Sequence, residues 1–155
     1  MVRIFVDMDG VLANFDAHHE AVFGIRPDKK VDNVNWQQVR DHKGFYAGIP
    51  PMDDMMELWN FVTKHDPYRI VLTGIPYSVE EAESNKRGWI AKHLGDHVEV
   101  RCCKSRDKSL HAEPGDILID DWDKYRHLWV KRGGTWITHT SATNTIAELT
   151  KIFGD

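Results

Sequence analysis

Residues 4–16 read IFVDMDGVLANFD. An apolar run stops at Asp7, and a second carboxylate, Asp9, follows just before Gly10. With Val2 and Arg3 the run predicts a strand over 2–6. Alternate residues of an extended chain face the same way, so Asp7 and Asp9 share a side. Two carboxylates so close repel each other, and away from bulk water they stay ionised only when a cation joins them. Either each aspartate caps a turn, as this residue often does, or the pair holds a charged ligand. The rest of the chain bears on that choice.

Four more runs read as strands: YRIVLT at 68–73, HVEVRC at 97–102, DILID at 116–120 and TWITH at 135–139. RIVL and ILI are apolar without alternation, which is the pattern of strands buried on both faces. Helical patterns separate them. One is expected from Ser78, as N-cap with Glu81 in a capping box, to a stop at Gly95. Another spans DKYRHLWVKRGG, with Tyr125, Leu128 and Trp129 at helical spacing, and a third places Ile146, Leu149 and Phe153 on one stripe. Alternating strands and helices predict an α/β fold with a doubly wound, Rossmann-like parallel sheet.

Residues 14–66 break that rhythm. NFDAHHEAVFG and MDDMMELWNFVTKH read as amphipathic helices, and the polar stretch between them has turn residues at both ends. One crossover helix needs far fewer residues. The chain is therefore expected to divide into a core of 1–13 and 67–155 and a small helical cap of 14–66 over the sheet's end. His18 and His19 are expected on a helix surface, Met52, Met55 and Met56 in the core, and Trp89 and Trp129 facing inward.

The 155 residues are one domain's worth, and 41% of them are hydrophobic, enough for a core without disulfide staples. The formal net charge of -4 provides no basic field for extended nucleic acid or an acidic membrane. A small phosphorylated ligand needs only a local positive pocket. Cys102 and Cys103 are adjacent, a spacing that strains a disulfide. Two reduced thiols suit the cytoplasm, where this chain is expected. The N-terminal apolar run is interrupted at Asp7, unlike a signal peptide or a membrane span.

In open α/β sheets, ligands bind beyond the carboxyl ends of the strands. Strand one delivers Asp7 and Asp9 there, strand two Thr73 and Gly74, and strand four Asp120 and Asp121. Oxygen ligands of this kind suit Mg²⁺ together with a substrate phosphate. Lys108, in the loop before strand four, could supply positive charge to that phosphate.

In this order the motifs resemble the haloacid dehalogenase superfamily: DMDGV at 7–11, VLTG at 71–74, RDK at 106–108 and ILIDD at 117–121. DMDGVLANF, GFYAGIPPM and RDKS…GDILIDD further resemble the 5'(3')-deoxyribonucleotidases. That family usually has a longer insert, so this chain looks like a small version. Its second motif is commonly Thr-Ser, and here it is Thr73-Gly74, without the second hydroxyl.

The resemblance implies a Mg²⁺-dependent phosphomonoesterase. Asp7 would be the nucleophile and Asp9 the acid and base. Thr73 and Lys108 would hold phosphoryl oxygens. Asp7, the backbone carbonyl of Asp9, and Asp121 would hold the metal, with Asp120 nearby. Gly10 would let the backbone turn beside the phosphate, and Gly74 would lie next to it. Phe15, Phe45 and Tyr46 match positions where the nucleotidases place aromatics against base and sugar; they equally suit packing inside the insert. The superfamily's dehalogenases lack the second acid, which favours phosphoryl chemistry. A nucleoside monophosphate is the leading substrate. A sugar phosphate, a nucleic-acid end and a non-catalytic phosphate-binding module stand as alternatives.

Overall fold

The computed structural model describes residues 2–154. Five parallel strands, β1 (Ile4–Val6), β2 (Ile70–Gly74), β3 (Glu99–Cys103), β4 (Ile117–Asp120) and β5 (Thr135–Thr138), form one sheet in the order β3-β2-β1-β4-β5. The helices are α1 (Phe15–Phe23), α2 (Trp36–Asp41), α3 (Met55–His65), α4 (Ala82–His93), α5 (Arg126–Lys131) and α6 (Ala142–Phe153).

Burial explains the strand order. Ile4, Phe5 and Val6 of β1 are wholly inaccessible, so this strand takes the centre. Ile4 and Val6 pack with Val71, Ile117 and Ile119 into the larger core, which also takes in α3, α4 and α6. Phe5 points to the opposite face and joins Leu72, Leu118 and Trp129. Its ring meets Trp129 edge-on at 5.4 Å. Because both faces are covered, the strands carry apolar residues without alternation. The chain winds from β1 towards β3, then crosses to β4 on the other side of β1. The switch point thus lies between β1 and β4, where this class of sheet opens a crevice.

Residues 14–66 contain two kinds of structure. Asn14 N donates to Pro50 O at 2.8 Å, and Met52 N donates to Leu12 O at 2.8 Å, so the departing and returning chains are stapled side by side. Between the staples lie α1 and α2, together with a single 3₁₀ turn at Tyr46–Gly48. The polar stretch, read as loop, thus contains the short helix α2, started by Asn35, whose side chain accepts from Gln38 N. Beyond the staple, α3 packs on α6: His65 stacks on Phe153 at 4.5 Å, and Asp54 accepts from Ala142 N at 2.7 Å. Asp66, at the end of α3, accepts from Ile4 N at 2.9 Å and so is tied to the central strand.

Three local expectations need correction. Ser78 does not cap α4, which begins at Ala82; Glu81 reaches across to accept from Gly44 N of the insert. A contact distant in sequence has replaced the local capping box. His19 is buried, not on a helix surface, with Nδ1 2.6 Å from Ile25 O, because the chain after α1 folds back over it. Met56 is exposed while Met55 is buried, since adjacent helical positions point apart. Trp89 and Trp129 do face inward, and Cys102 and Cys103 are free thiols. Among the described residues, no helix is long and apolar enough to cross a membrane.

Candidate active site

Parallel register brings the first acidic pair together. Val6 lies opposite Ile119, and Asp7 N donates to Ile119 O at 2.9 Å. Asp7 therefore leaves the sheet alongside Asp120. Both are buried, and Lys108 Nζ is 2.9 Å from Asp7 Oδ1 and 2.9 Å from Asp120 Oδ2. Burial opposes the charge on Lys108, but the two carboxylates outweigh it and push its pKa up. Asp7 also moves upward, through burial and then the charge of Asp120, despite Lys108. One ammonium does not compensate this cluster.

Gly10 is forced by its surroundings. Its φ is +84°, in the left-handed region that favours glycine, and a Cβ there would fall 1.9 Å from Asp121 Oδ2. The turn after Asp9 thus presses directly on the carboxylate of Asp121. Burial pushes Asp121 up to about 6, although Lys29, an insert residue 2.6 Å from Oδ2, pulls it down. One oxygen each of Asp7, Asp120 and Asp121 lies within 4.8 Å of the others. Hard oxygen donors with excess negative charge fit a divalent cation such as Mg²⁺.

Asp9 belongs to a second charge group. Lys86 Nζ donates to Asp9 Oδ2 at 2.9 Å, to Thr73 Oγ1 at 3.1 Å and to Gly74 O at 2.6 Å. Asp9 Oδ1 is buried without a hydrogen-bond partner. Thr73 is fully buried, with Lys86 between its hydroxyl and Asp9. The sequence reading missed Lys86. Ala82, Lys86, Trp89 and Ile90 are the buried face of α4, so a lysine in an otherwise apolar helical stripe was the available signal.

A cavity of about 540 Å³ spans both charge groups. Asp7, Asp9, Gly10, Gly74, Lys108, Asp120 and Asp121 line its core side. The insert contributes Phe15, Tyr46, Lys29 and Trp36. The three expected aromatics do not behave alike. Phe15 and Tyr46 reach the wall, although Tyr46 is almost inaccessible and Lys86 Nζ sits 4.7 Å from its ring centre. Burial, then the charge of Asp9, holds the Tyr46 hydroxyl well above its ordinary pKa, hence neutral. Phe45 does not line the cavity. It is sealed inside the insert, stacked on Phe23 at 5.6 Å and touching His18 at 4.7 Å. Accessible aromatic surface in the lining includes Trp36, which is 39% exposed, and the half-buried Trp122, directly after Asp121. Neither was singled out from sequence, since tryptophans outside a periodic stripe carry no sign of where they face.

No protein-family model matches the chain. Curated relatives are distant. The human cytosolic-type 5'(3')-deoxyribonucleotidase is 26% identical over 81% of this chain and 73% of its own. A putative 5'(3')-deoxyribonucleotidase of Bordetella bronchiseptica is 26% identical over 76% and 73%. Among solved structures, a family IA HAD hydrolase of Entamoeba histolytica aligns over 99% of this chain and 90% of its own, with TM-score 0.50 and 14% identity. The L-2-haloacid dehalogenase of Xanthobacter autotrophicus aligns over 97% and 83%, with TM-score 0.52 and 11% identity. Those two likenesses concern the fold, which is that of haloacid dehalogenase-like hydrolases. In sequence the chain resembles the 5'(3')-deoxyribonucleotidases.

Proposed function

We propose that the chain is a Mg²⁺-dependent phosphomonoesterase acting on nucleoside monophosphates through an aspartyl-phosphate on Asp7. The observation that carries this reading is the separation of Asp7 and Asp9 into two charge groups on one wall. Asp7 is held by Lys108, whereas Asp9 is held through one oxygen by Lys86. Two neighbouring carboxylates with different partners can take different roles.

Asp7 attacks phosphorus and forms the acyl phosphate, and the ester oxygen leaves with a proton from Asp9. Asp9 then takes a proton from water, whose oxygen attacks the acyl phosphate, releasing phosphate and restoring Asp7. Lys86 grips Oδ2 and so fixes the orientation of the Asp9 carboxylate. Lys108 keeps Asp7 aimed and stabilises charge on the phosphoryl oxygens. Thr73 acts one step back, as an acceptor that positions Lys86. Mg²⁺ would be held by Asp7, Asp121 and the backbone carbonyl of Asp9, beside Asp120, and would supply positive charge to the transferring group.

The selective lid is residues 14–51, with α3 counted in the core, because the staple at 12–14 and 50–52 separates the two. Base selection falls to Trp36 and Trp122, with Phe15 behind Trp36 at 6.2 Å between ring centres. Base–aromatic stacking contributes roughly 1–3 kcal/mol, enough to prefer a nucleotide over a small phosphate ester. The test is hydrolysis of a chromogenic aryl phosphate with and without Mg²⁺, followed by a panel of nucleoside monophosphates and sugar phosphates. Metal-dependent hydrolysis with higher kcat/KM on nucleotides is expected. Hydrolysis that favours sugar phosphates would reject the nucleotide assignment, and no hydrolysis would reject the phosphatase.

A further inference from the structure

Gly74 ends β2 at the cavity wall, and the space beside it is already taken. A Cβ on Gly74 would stand 2.2 Å from Ser105 Oγ and 3.3 Å from Ser105 Cβ. The hydroxyl of Ser105 therefore occupies the volume that a side chain at 74 would need. Ser105 opens the 3₁₀ segment Ser105–His111, which also carries Lys108. Gly74, Ser105 and Lys108 line the same cavity as Asp7 and Asp9.

The donors around this point are otherwise committed. Lys108 is shared between Asp7 and Asp120, and Lys86 between Asp9, Thr73 and Gly74 O. The Thr73 hydroxyl is fully buried. Ser105 is half-buried, and its hydroxyl makes no hydrogen bond to a described residue. A phosphoryl group brings three non-bridging oxygens, each able to accept hydrogen bonds.

Resting on the phosphatase reading, we infer that Ser105 Oγ is a phosphate-holding donor, supplied from the Lys108 segment where the Thr73-Gly74 strand end lacks a second hydroxyl. Glycine at 74 and serine at 105 form a matched pair: the small residue makes room, and the hydroxyl fills it. The pair holds substrate and leaves the proton transfers to Asp9.

Binding of inorganic phosphate in the presence of Mg²⁺, measured by isothermal titration calorimetry, tests the assignment. Ser105→Ala should weaken phosphate binding about tenfold, the scale of a lost hydrogen bond to a charged group. Its melting temperature should stay near that of the wild type, and Ser105→Thr should retain the affinity. The double variant Gly74→Ser with Ser105→Gly moves the hydroxyl onto the strand end and should recover most of the loss. Gly74→Ser alone, crowded against Ser105, should bind more weakly than the double variant. Wild-type affinity in folded Ser105→Ala, or a double variant no better than Ser105→Ala, would overturn the inference while the phosphatase reading stands. A wild-type chain that neither binds phosphate nor hydrolyses an aryl phosphate would overturn both.

Discussion

The core side of the cavity is set by strand register, whereas the insert side is set by contacts distant in sequence: the staple between residues 12–14 and 50–52, Glu81 with Gly44 N, and Trp89 Nε1 with Ile49 O. Asp7, Asp120 and Lys108 are buried in one ion-paired cluster, with every partner on or beside the sheet. On the insert side, Lys29 is 45% exposed in its pairing with Asp121, and Trp36 stands partly in solvent. Burial makes the core interactions strong and costly to disturb. Exposure makes these cavity-facing contacts of Lys29 and Trp36 weak and easily exchanged, although the insert's interior is buried. On the proposed function, that contrast amounts to a rigid reacting centre beneath an adjustable selector.

The contrast breaks if core substitutions have mild effects. Asp7→Asn should lower turnover by at least ~10³-fold, since on the proposed reading the acyl phosphate forms on this carboxylate. The amide removes a buried charge that its surroundings disfavour, so metal-free Asp7→Asn should melt no lower than the wild type. Rate measurements and thermal melting of the purified variant check both halves. Near-wild-type turnover would remove Asp7 from the chemistry.

Lys86→Met should cost roughly 10²-fold in kcat, within the usual contribution of general acid–base catalysis. The side chain bridges the insert-facing Asp9 and the strand residue Thr73, so its loss should also leave Asp9 mobile. A flattened or displaced pH–rate profile would separate this role from simple loss of fold. An unchanged profile with a lower melting temperature would make Lys86 structural.

On the insert, Trp36 and Phe45 should part company. Trp36→Ala should raise KM for nucleoside monophosphates about tenfold, through lost stacking, and leave aryl phosphate hydrolysis almost unchanged. Phe45→Ala should instead lower stability by about 3–5 kcal/mol, the cost of emptying a buried aromatic site, and impair both substrates together. Steady-state kinetics on the two substrate classes, with melting curves, decide the matter. Selective nucleotide loss in Phe45→Ala would return that ring to the pocket.

The same contrast explains what the sequence could disclose. Asp7, Asp120 and Asp121 were legible because an apolar run ending in a carboxylate marks a strand end, and parallel topology brings strand ends together. Lys108 was legible through the RDK spacing. Lys86 was hidden because one cation in a helix reads as surface until the helix is known to bury that face. The insert's interior depended on contacts distant in sequence: Glu81 reaching Gly44, and Phe45 enclosed by α1. Periodicity carries no information about such contacts, so Phe45 could be read as lining the pocket when it packs inside the insert. Ser105 escaped notice for a related reason, since only the backbone of β2 shows that its hydroxyl fills the space beside Gly74.

The smallest expected effect lies where the two sides meet, at Lys29 and Asp121. Lys29 Nζ occupies Asp121 Oδ2 at 2.6 Å, and Asp121 belongs to the candidate metal cluster. A cation binding there must displace this ammonium. The pair is partly solvated, so its worth is at most about 1 kcal/mol, and Lys29→Met should tighten Mg²⁺ binding by no more than roughly fivefold at pH 8. The advantage should shrink on acidification. Asp121 titrates near about 6 in the folded chain, above its ordinary value of 3.8, and removing Lys29 moves it further up. Between those two values the folded state binds more protons than the unfolded state. The contribution of Asp121 to metal-free stability therefore falls as pH rises from about 4 to about 6. Mg²⁺ reverses that trend by favouring the carboxylate. The Mg²⁺-induced rise in melting temperature should thus be full at pH 8 and fade through pH 6, and it should fade at higher pH in Lys29→Met than in the wild type. Calorimetric Mg²⁺ titrations and melting curves at pH 5, 6, 7 and 8 provide the check. Equal Mg²⁺ affinity in both proteins across that range would mean that Lys29 releases Asp121 without cost, and that the insert contributes nothing to metal binding.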